Sequence, residues 1–334
     1  MRWRGAVLVA LTLASCSALK PNDVDDGGAV APPGSGADAA RDATTEATAD
    51  VTRDAAADVS IAEAGPPSIR WSNVQLWLAA DLNVACDAGR VTTWHDRSGH
   101  ARDATPGAAL GPRCGARTLG GLPVVTFTAP PSEAPYVDES LEVDLSFLLS
   151  AAYTIFIVER RALDRAVPDA WFLMGTQVSN EAAIKANCGG NSGITDTALQ
   201  LGYFKQPVDG GFETYLFLDH TCIGLAGTAM VPRVDGSTPA PPSVVTARLD
   251  PSDNRYLYVN GVKKLAGAVP CTAGRCASSA LLQATGGSIG RGLAKVLFDT
   301  RYLGDIAEVI AYDVSLGPAD QASIESYLRA KWGF

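Results

Sequence analysis

The stretch Arg255-Tyr-Leu-Tyr-Val-Asn-Gly-Val262 decides the fold class. Its first five residues are rich in aromatic and branched side chains, which suit a pleated, half-buried strand. Asn260 and Gly261 follow, and both tolerate the positive φ that a two-residue hairpin turn requires. The same strand chemistry recurs upstream in residues 74–78, 91–94, 123–127, 153–158, 171–174, 199–204, 214–218 and 244–249, and downstream in 306–312. Many short strands, Gly/Pro-rich connections and no alternating helices predict an all-β sandwich or jelly roll.

One segment departs from this pattern. Residues 318–331 place Ile324, Tyr327, Leu328 and Lys331 at helical spacing, with Asp320 near the start and Arg329 and Lys331 near the end, as the helix dipole favours. Gly333 is the expected stop. A short C-terminal helix packed on the sandwich is therefore predicted.

The other end of the chain reads differently. Arg2 and Arg4 precede a short apolar run, the order of charge and hydrophobicity found in a secretory signal. The run is shorter than the roughly 20 apolar residues that span a bilayer. From Ser17 to Ser68 there is no aromatic residue, and ten acidic residues stand against three basic ones. Such a segment cannot bury enough apolar surface to offset the entropy of ordering. It is expected to be a tether with a typical span of roughly 40 Å.

The organisation expected is therefore a signal over 1–15, a modified Cys16 and tether over 16–68, and one domain over 69–334. Of the net charge of −9, the leader carries +2 and the tether −7, leaving −4 on the domain. That balance gives no basic footprint for nucleic acid or for anionic lipid. Apart from Cys16, the six cysteines Cys86, Cys114, Cys188, Cys222, Cys271 and Cys276 form an even set in an exported domain, which suggests disulfides. Six cysteines allow 15 connectivities. The favoured set is sequential, Cys86–Cys114, Cys188–Cys222 and Cys271–Cys276, and the last closes a short loop.

Leu13-Ala14-Ser15-Cys16 resembles the lipobox of bacterial lipoproteins. The resemblance implies cleavage before Cys16, a diacylglyceryl thioether on its sulfur and anchoring in a lipid bilayer. Because Ser17 is not the aspartate that retains such proteins at the inner membrane, it implies an outer-membrane address in the cell envelope. The domain in turn resembles the concanavalin A-like, laminin-G-like jelly rolls of bacterial secreted proteins. The resemblance rests on Leu76-Trp-Leu-Ala-Ala-Asp81, Trp94-His-Asp-Arg-Ser-Gly99 with Arg102-Asp-Ala-Thr105, Leu257-Tyr-Val-Asn-Gly261, Gly290-Arg-Gly292 and Gly304-Asp-Ile-Ala-Glu-Val-Ile-Ala-Tyr-Asp313. It spans nearly all of 71–334 and implies fold rather than activity, since one sandwich hosts many functions.

Glu142-Val-Asp-Leu-Ser-Phe147 matches two of the three carboxylates of a glucanase strand, but Ser146 or Phe147 stands where the third is needed, so no group there can protonate a leaving oxygen. Glu159 and Glu308 sit on otherwise apolar strands and either face a concave binding surface or pair with an arginine such as Arg160, Arg291 or Arg301. Asp96 and Asp103 offer oxygen ligands to calcium, the one candidate cofactor, although Asp-Arg-Ser-Gly is first of all a turn. Gly286-Gly-Ser-Ile-Gly-Arg-Gly292 lacks the following helix that a phosphate cradle needs. Among the strand aromatics, Trp171, Tyr203, Tyr215 and Tyr256 are candidate platforms for sugar rings.

The leading expectation is a non-catalytic binding module for glycan or a glycosylated partner. A structural or adhesive lipoprotein that binds protein stands second, and a glycosidase or polysaccharide lyase third.

Overall fold

The computed structural model describes residues 71–107, 110–128, 139–149, 152–162, 170–178, 197–208, 211–220, 228–232, 239–252, 254–268, 284–292 and 301–334. The leader, Cys16 and the tether lie outside the described residues, as do Cys188, Cys222, Cys271 and Cys276.

The described strands begin with β1 (Val74–Ala79), β2 (Val84–Asp87), β3 (Arg90–Trp94), β4 (Arg113–Leu119), β5 (Leu122–Phe127) and β6 (Leu141–Val143). The middle of the domain contributes β7 (Tyr153–Arg161), β8 (Ala170–Val178), β9 (Thr197–Val208), β10 (Gly211–His220) and β11 (Thr228–Val231). Then come β12 (Ser243–Leu249), β13 (Asn254–Val259), β14 (Val262–Ala268), β15 (Ala284–Ile289), β16 (Gly304–Tyr312) and the helix α1 (Pro318–Trp332).

These strands form two antiparallel sheets of a jelly-roll sandwich. The larger runs β14-β13-β12-β7-β16-β5-β4-β3-β2, with β1 also paired to β16; the smaller runs β11-β10-β9-β8-β15-β6. β7 and β16 sit at the centre of the larger sheet, and every residue of β16 is buried. β16 pairs with β7 along one edge and shares its other edge between β5 and β1. The hairpin expected from Asn260-Gly261 joins β13 to β14, with φ of 53° and 78° at its two central residues. The Asn260 side-chain oxygen accepts the Val244 N–H at 2.8 Å, so the turn is also tied to β12.

Alternation along each strand separates two faces. On β7, Ile155 and Ile157 share the face of Glu159, whose carboxylate meets Tyr203 of the opposite sheet. Leu199, Leu201, Leu216 and Leu218 answer from β9 and β10 within the same core. Each such side chain contributes about 1.5–3 kcal/mol on full burial. The disulfide Cys86–Cys114, one of the three pairings expected, joins β2 to β4 across β3 with a Cα–Cα distance of 6.5 Å.

On the outer face of the larger sheet lies α1. Pro318 starts it, Gly333 ends it with φ of 75°, and Gln321, Ile324, Glu325, Leu328 and Trp332 form its buried stripe. The stripe is more polar than the sequence suggested because its carboxylate finds one partner on the sheet and one within the helix. Thr246 of β12 donates to Glu325 at 2.6 Å, and Gln321 donates to Glu325 at 3.0 Å.

One irregularity decides where a key carboxylate points. In the pairing of β16 with β7, Ile306 lies opposite Glu159 but Glu308 lies opposite Val158, so Ala307 is an extra residue. Such a bulge shifts the side-chain phase. Ile306 therefore faces the sandwich interior, whereas Glu308 turns to the helix side.

Candidate functional site

The two strand glutamates singled out in the sequence are structural. Glu159 accepts hydrogen bonds from Tyr203 at 3.0 Å, Ser243 at 2.6 Å and Tyr302 at 2.5 Å, between the two sheets. Burial, followed by the Glu159 carboxylate, holds the Tyr302 phenol well above its ordinary pKa. Glu308 accepts from the Trp77 indole at 2.7 Å, the Trp332 indole at 2.7 Å and the Lys331 ammonium at 2.9 Å. Lys331 also pairs with Asp81 at 2.9 Å. Burial raises the pKa of Glu308 against the pull of these donors.

These placements correct the expectation of a shared binding surface. Glu159 and Glu308 are 1% and 0% exposed, on opposite faces of one sheet, and among the described residues neither pairs with an arginine; Arg160 bonds Asp305 instead. Trp171 and Tyr203 are buried as well, stacked on one another in the core at 6.1 Å. A ligand cannot reach these rings, because inward alternation on β8 and β9 turns them toward the opposite sheet.

The Asp96 and Asp103 segment is a turn held by its own donors. Asp96 accepts from the backbone N–H of Trp77, Ser98 and Arg102 and from the Ser98 hydroxyl. Asp103 accepts from the Asp96 N–H and meets His95 at 2.9 Å. Partial burial opposes ionisation of Asp103, but these hydrogen bonds prevail and lower its pKa. Among the described residues no group of three or more His, Cys, Asp or Glu side chains is arranged around a metal position. In the glucanase-like segment, Asp144 accepts the Ser146 N–H at 2.9 Å, at the start of a 3-10 turn over Ser146–Leu149. The Gly-rich stretch supplies β15, an ordinary strand paired with β8 and β6.

The outward face of the smaller sheet has a different character. Phe172, Phe204 and Phe217 form an aromatic cluster separate from the main core, and partly buried Tyr215 packs against it. Gly202 lies in register between Phe172 and Phe217, and its missing side chain lets the two rings meet edge to face at 5.4 Å. Tyr215 stacks on Phe204 at 5.2 Å with an interplanar angle of 19°. Its hydroxyl donates to Glu213, two residues back on the same face, and that bond raises the phenol pKa. Glu213 is not among the candidates drawn from the sequence. The alternation Glu213-x-Tyr215-x-Phe217 carried the signal.

Tyr256, the remaining aromatic candidate, lies on the opposite outer face. Arg248 covers its ring at 4.3 Å, and its hydroxyl donates to Asp250 at 3.0 Å. Partial burial pushes the Asp250 pKa up, but donors from Asn254, Ser252 and Tyr256 outweigh it and leave it lowered.

No protein-family profile and no curated protein matches the chain. Several solved structures are similar to it. Domain 4 of the extracellular arabinanase AbnA from Geobacillus stearothermophilus, solved with arabinotriose, is 12% identical with a TM-score of 0.46, over 76% of this chain and 98% of that one. A Trypanosoma rangeli sialidase in complex with sialic acid is 14% identical with a TM-score of 0.49, over 79% of this chain but only 34% of the sialidase. A GH54 α-L-arabinofuranosidase is 12% identical with a TM-score of 0.45, over 73% of this chain and 51% of that one.

Proposed function

We propose that residues 69–334 form a non-catalytic carbohydrate-binding module, presented from the cell envelope by a lipidated Cys16. The reading is carried by Tyr215, a partly buried ring fixed flat against Phe204 with the Glu213 carboxylate beside it. A sugar ring offers apolar C–H groups to an aromatic face and hydroxyls to its rim, and this pairing of ring and carboxylate suits both. Binding rather than turnover is favoured because Glu159 and Glu308 are committed to internal donors. The laminin-G-like motifs and the Leu13-Ala14-Ser15-Cys16 lipobox support the two halves of the proposal.

The deciding experiment is a glycan array probed with the purified protein, followed by titration of the hits. A bound glycan should weaken about tenfold on Tyr215→Ala, a change of roughly 1.4 kcal/mol. An array with no signal above background, or a Tyr215→Ala protein that binds undiminished, would refute the assignment. The anchor is tested apart from the ligand: Cys16→Ala should abolish palmitate labelling and release a folded domain from membranes. Persistent labelling would refute the lipobox.

A further inference from the structure

The terminal helix and the β13–β14 hairpin enclose a groove of about 280 Å³, lined by Tyr258, Asn260, Gly261, Gln321, Glu325 and Arg329 among others. Its floor is the Glu325 carboxylate, 4% exposed and held by two hydrogen bonds. One oxygen, Oε1, takes both available donors, Thr246 and Gln321. The other, Oε2, has no hydrogen-bond donor among the described residues and faces the hairpin, where a Cβ on Gly261 would come within 2.9 Å of it. Glycine at 261, with φ of 78°, thus serves the turn and also leaves the carboxylate accessible.

Oε2 therefore opens on the groove, where a cationic donor can bond it directly, and hydrogen bonds between ionised partners are stronger than those between neutral ones. One helical turn beyond Glu325, exposed Arg329 lines the same groove and makes no ion pair among the described residues. The groove therefore has an anionic floor, a cationic rim and the Tyr258 ring as a wall. Aromatic rings and carboxylates together favour ammonium groups, and a guanidinium favours carboxylates.

We infer that this groove is a binding site for a small zwitterion of the α-amino acid class. The ligand's ammonium donates to Glu325 Oε2 and its carboxylate meets Arg329. The site lies on the face opposite Tyr215, so it stands or falls independently of glycan binding there.

Isothermal titration of the full chain with alanine, alanine methyl ester, N-acetylalanine and glucose tests it. Alanine should bind, and each derivative with one charge removed should bind about 10–100-fold more weakly, the range expected for a hydrogen bond to a charged group. Arg329→Gln, at an exposed position, should erase the preference for alanine over its methyl ester. Glu325→Gln should erase the preference over N-acetylalanine. Ala322→Trp, on the exposed wall of the groove, should block binding while helix content and thermal stability are retained. Alanine that fails to bind at millimolar concentration, derivatives that bind equally well, or glucose that competes equally would each overturn the proposal.

Discussion

On the outer side of the larger sheet, α1 covers Thr246, Glu308 and Trp77 and supplies them with Glu325, Lys331 and an indole from Trp332. On the outer side of the smaller sheet, Phe172 and Phe204 each meet Phe217 edge to face, Tyr215 stacks on Phe204, and Glu213 stands beside them. The first face is closed around a buried charge cluster, Glu308 and Asp81 with Lys331; the second is built of rings that need no partner for a charge. A buried ion pair fails badly when one member is lost, because the other stays behind uncompensated. Aromatic packing fails in proportion to the volume disturbed. The two faces should therefore respond differently to substitution.

The largest effect is expected at the helix-side charge cluster. Glu308→Ala leaves Lys331 buried with only Asp81 and removes the acceptor of two indoles, so unfolding in urea should show a loss of about 3–5 kcal/mol. A loss below about 1 kcal/mol would mean that water reaches Lys331 and that the face is not sealed as described.

On the aromatic side, Gly202→Ala should cost about 1–3 kcal/mol by overpacking. A Cβ there would lie 2.4 Å from the Trp171 carbonyl oxygen and 2.7 Å from the Phe172 Cα, both backbone atoms that cannot swing aside. A neutral outcome in the same urea assay would show that β8 and β9 can separate, and that the ring cluster tolerates repacking.

The smallest effects are electrostatic and opposite in sign. Glu308 has its pKa raised in the folded state, so its protonation favours folding at low pH, and that contribution fades as pH rises from about 4.5 through the folded value. Asp250 has its pKa lowered, so its contribution is present above about 3.8 and is lost as pH falls through the folded value. Stability measured against pH should thus lose its falling limb in Glu308→Gln and part of its acid limb in Asp250→Asn. Identical profiles for either variant and the parent would contradict the assignment at that residue.

Much of the scaffold was legible because it follows simple periodicities. Residues 153–158 and 306–312 are apolar on both faces, as strands buried on both sides must be, and they became β7 and β16. The hairpin at Asn260-Gly261 and the helix with its Gly333 stop were equally plain. β15 was not, because Ala-Thr-Gly-Gly-Ser-Ile lacks the bulk of a strand; Gly287 is needed where the Leu145 side chain fills the space a Cβ would take. β4 was missed because most of its side chains are exposed and carry no apolar alternation.

The candidate site was read less well, and for a physical reason. Which way a side chain points depends on register, and one bulge at Ala307 reverses the phase between Ile306 and Glu308. No local pattern in the sequence announces it. Glu325 was invisible for a different reason: on a helix it reads as solvated charge, and only the proximity of Thr246, 79 residues away, makes it a buried acceptor.

The pairing of β1 with β16 has a consequence for the order of events during synthesis. Trp77 finds its hydrogen-bond acceptor at Glu308, 231 residues further along the chain. A ribosome adding about 5–20 residues per second needs on the order of 10–50 seconds to supply that partner. Throughout the interval β1 has an unpaired edge and an indole without its acceptor, so the nascent chain must be shielded or kept extended. The central strand of the sandwich is among the last to arrive, and formation of the larger sheet waits for it.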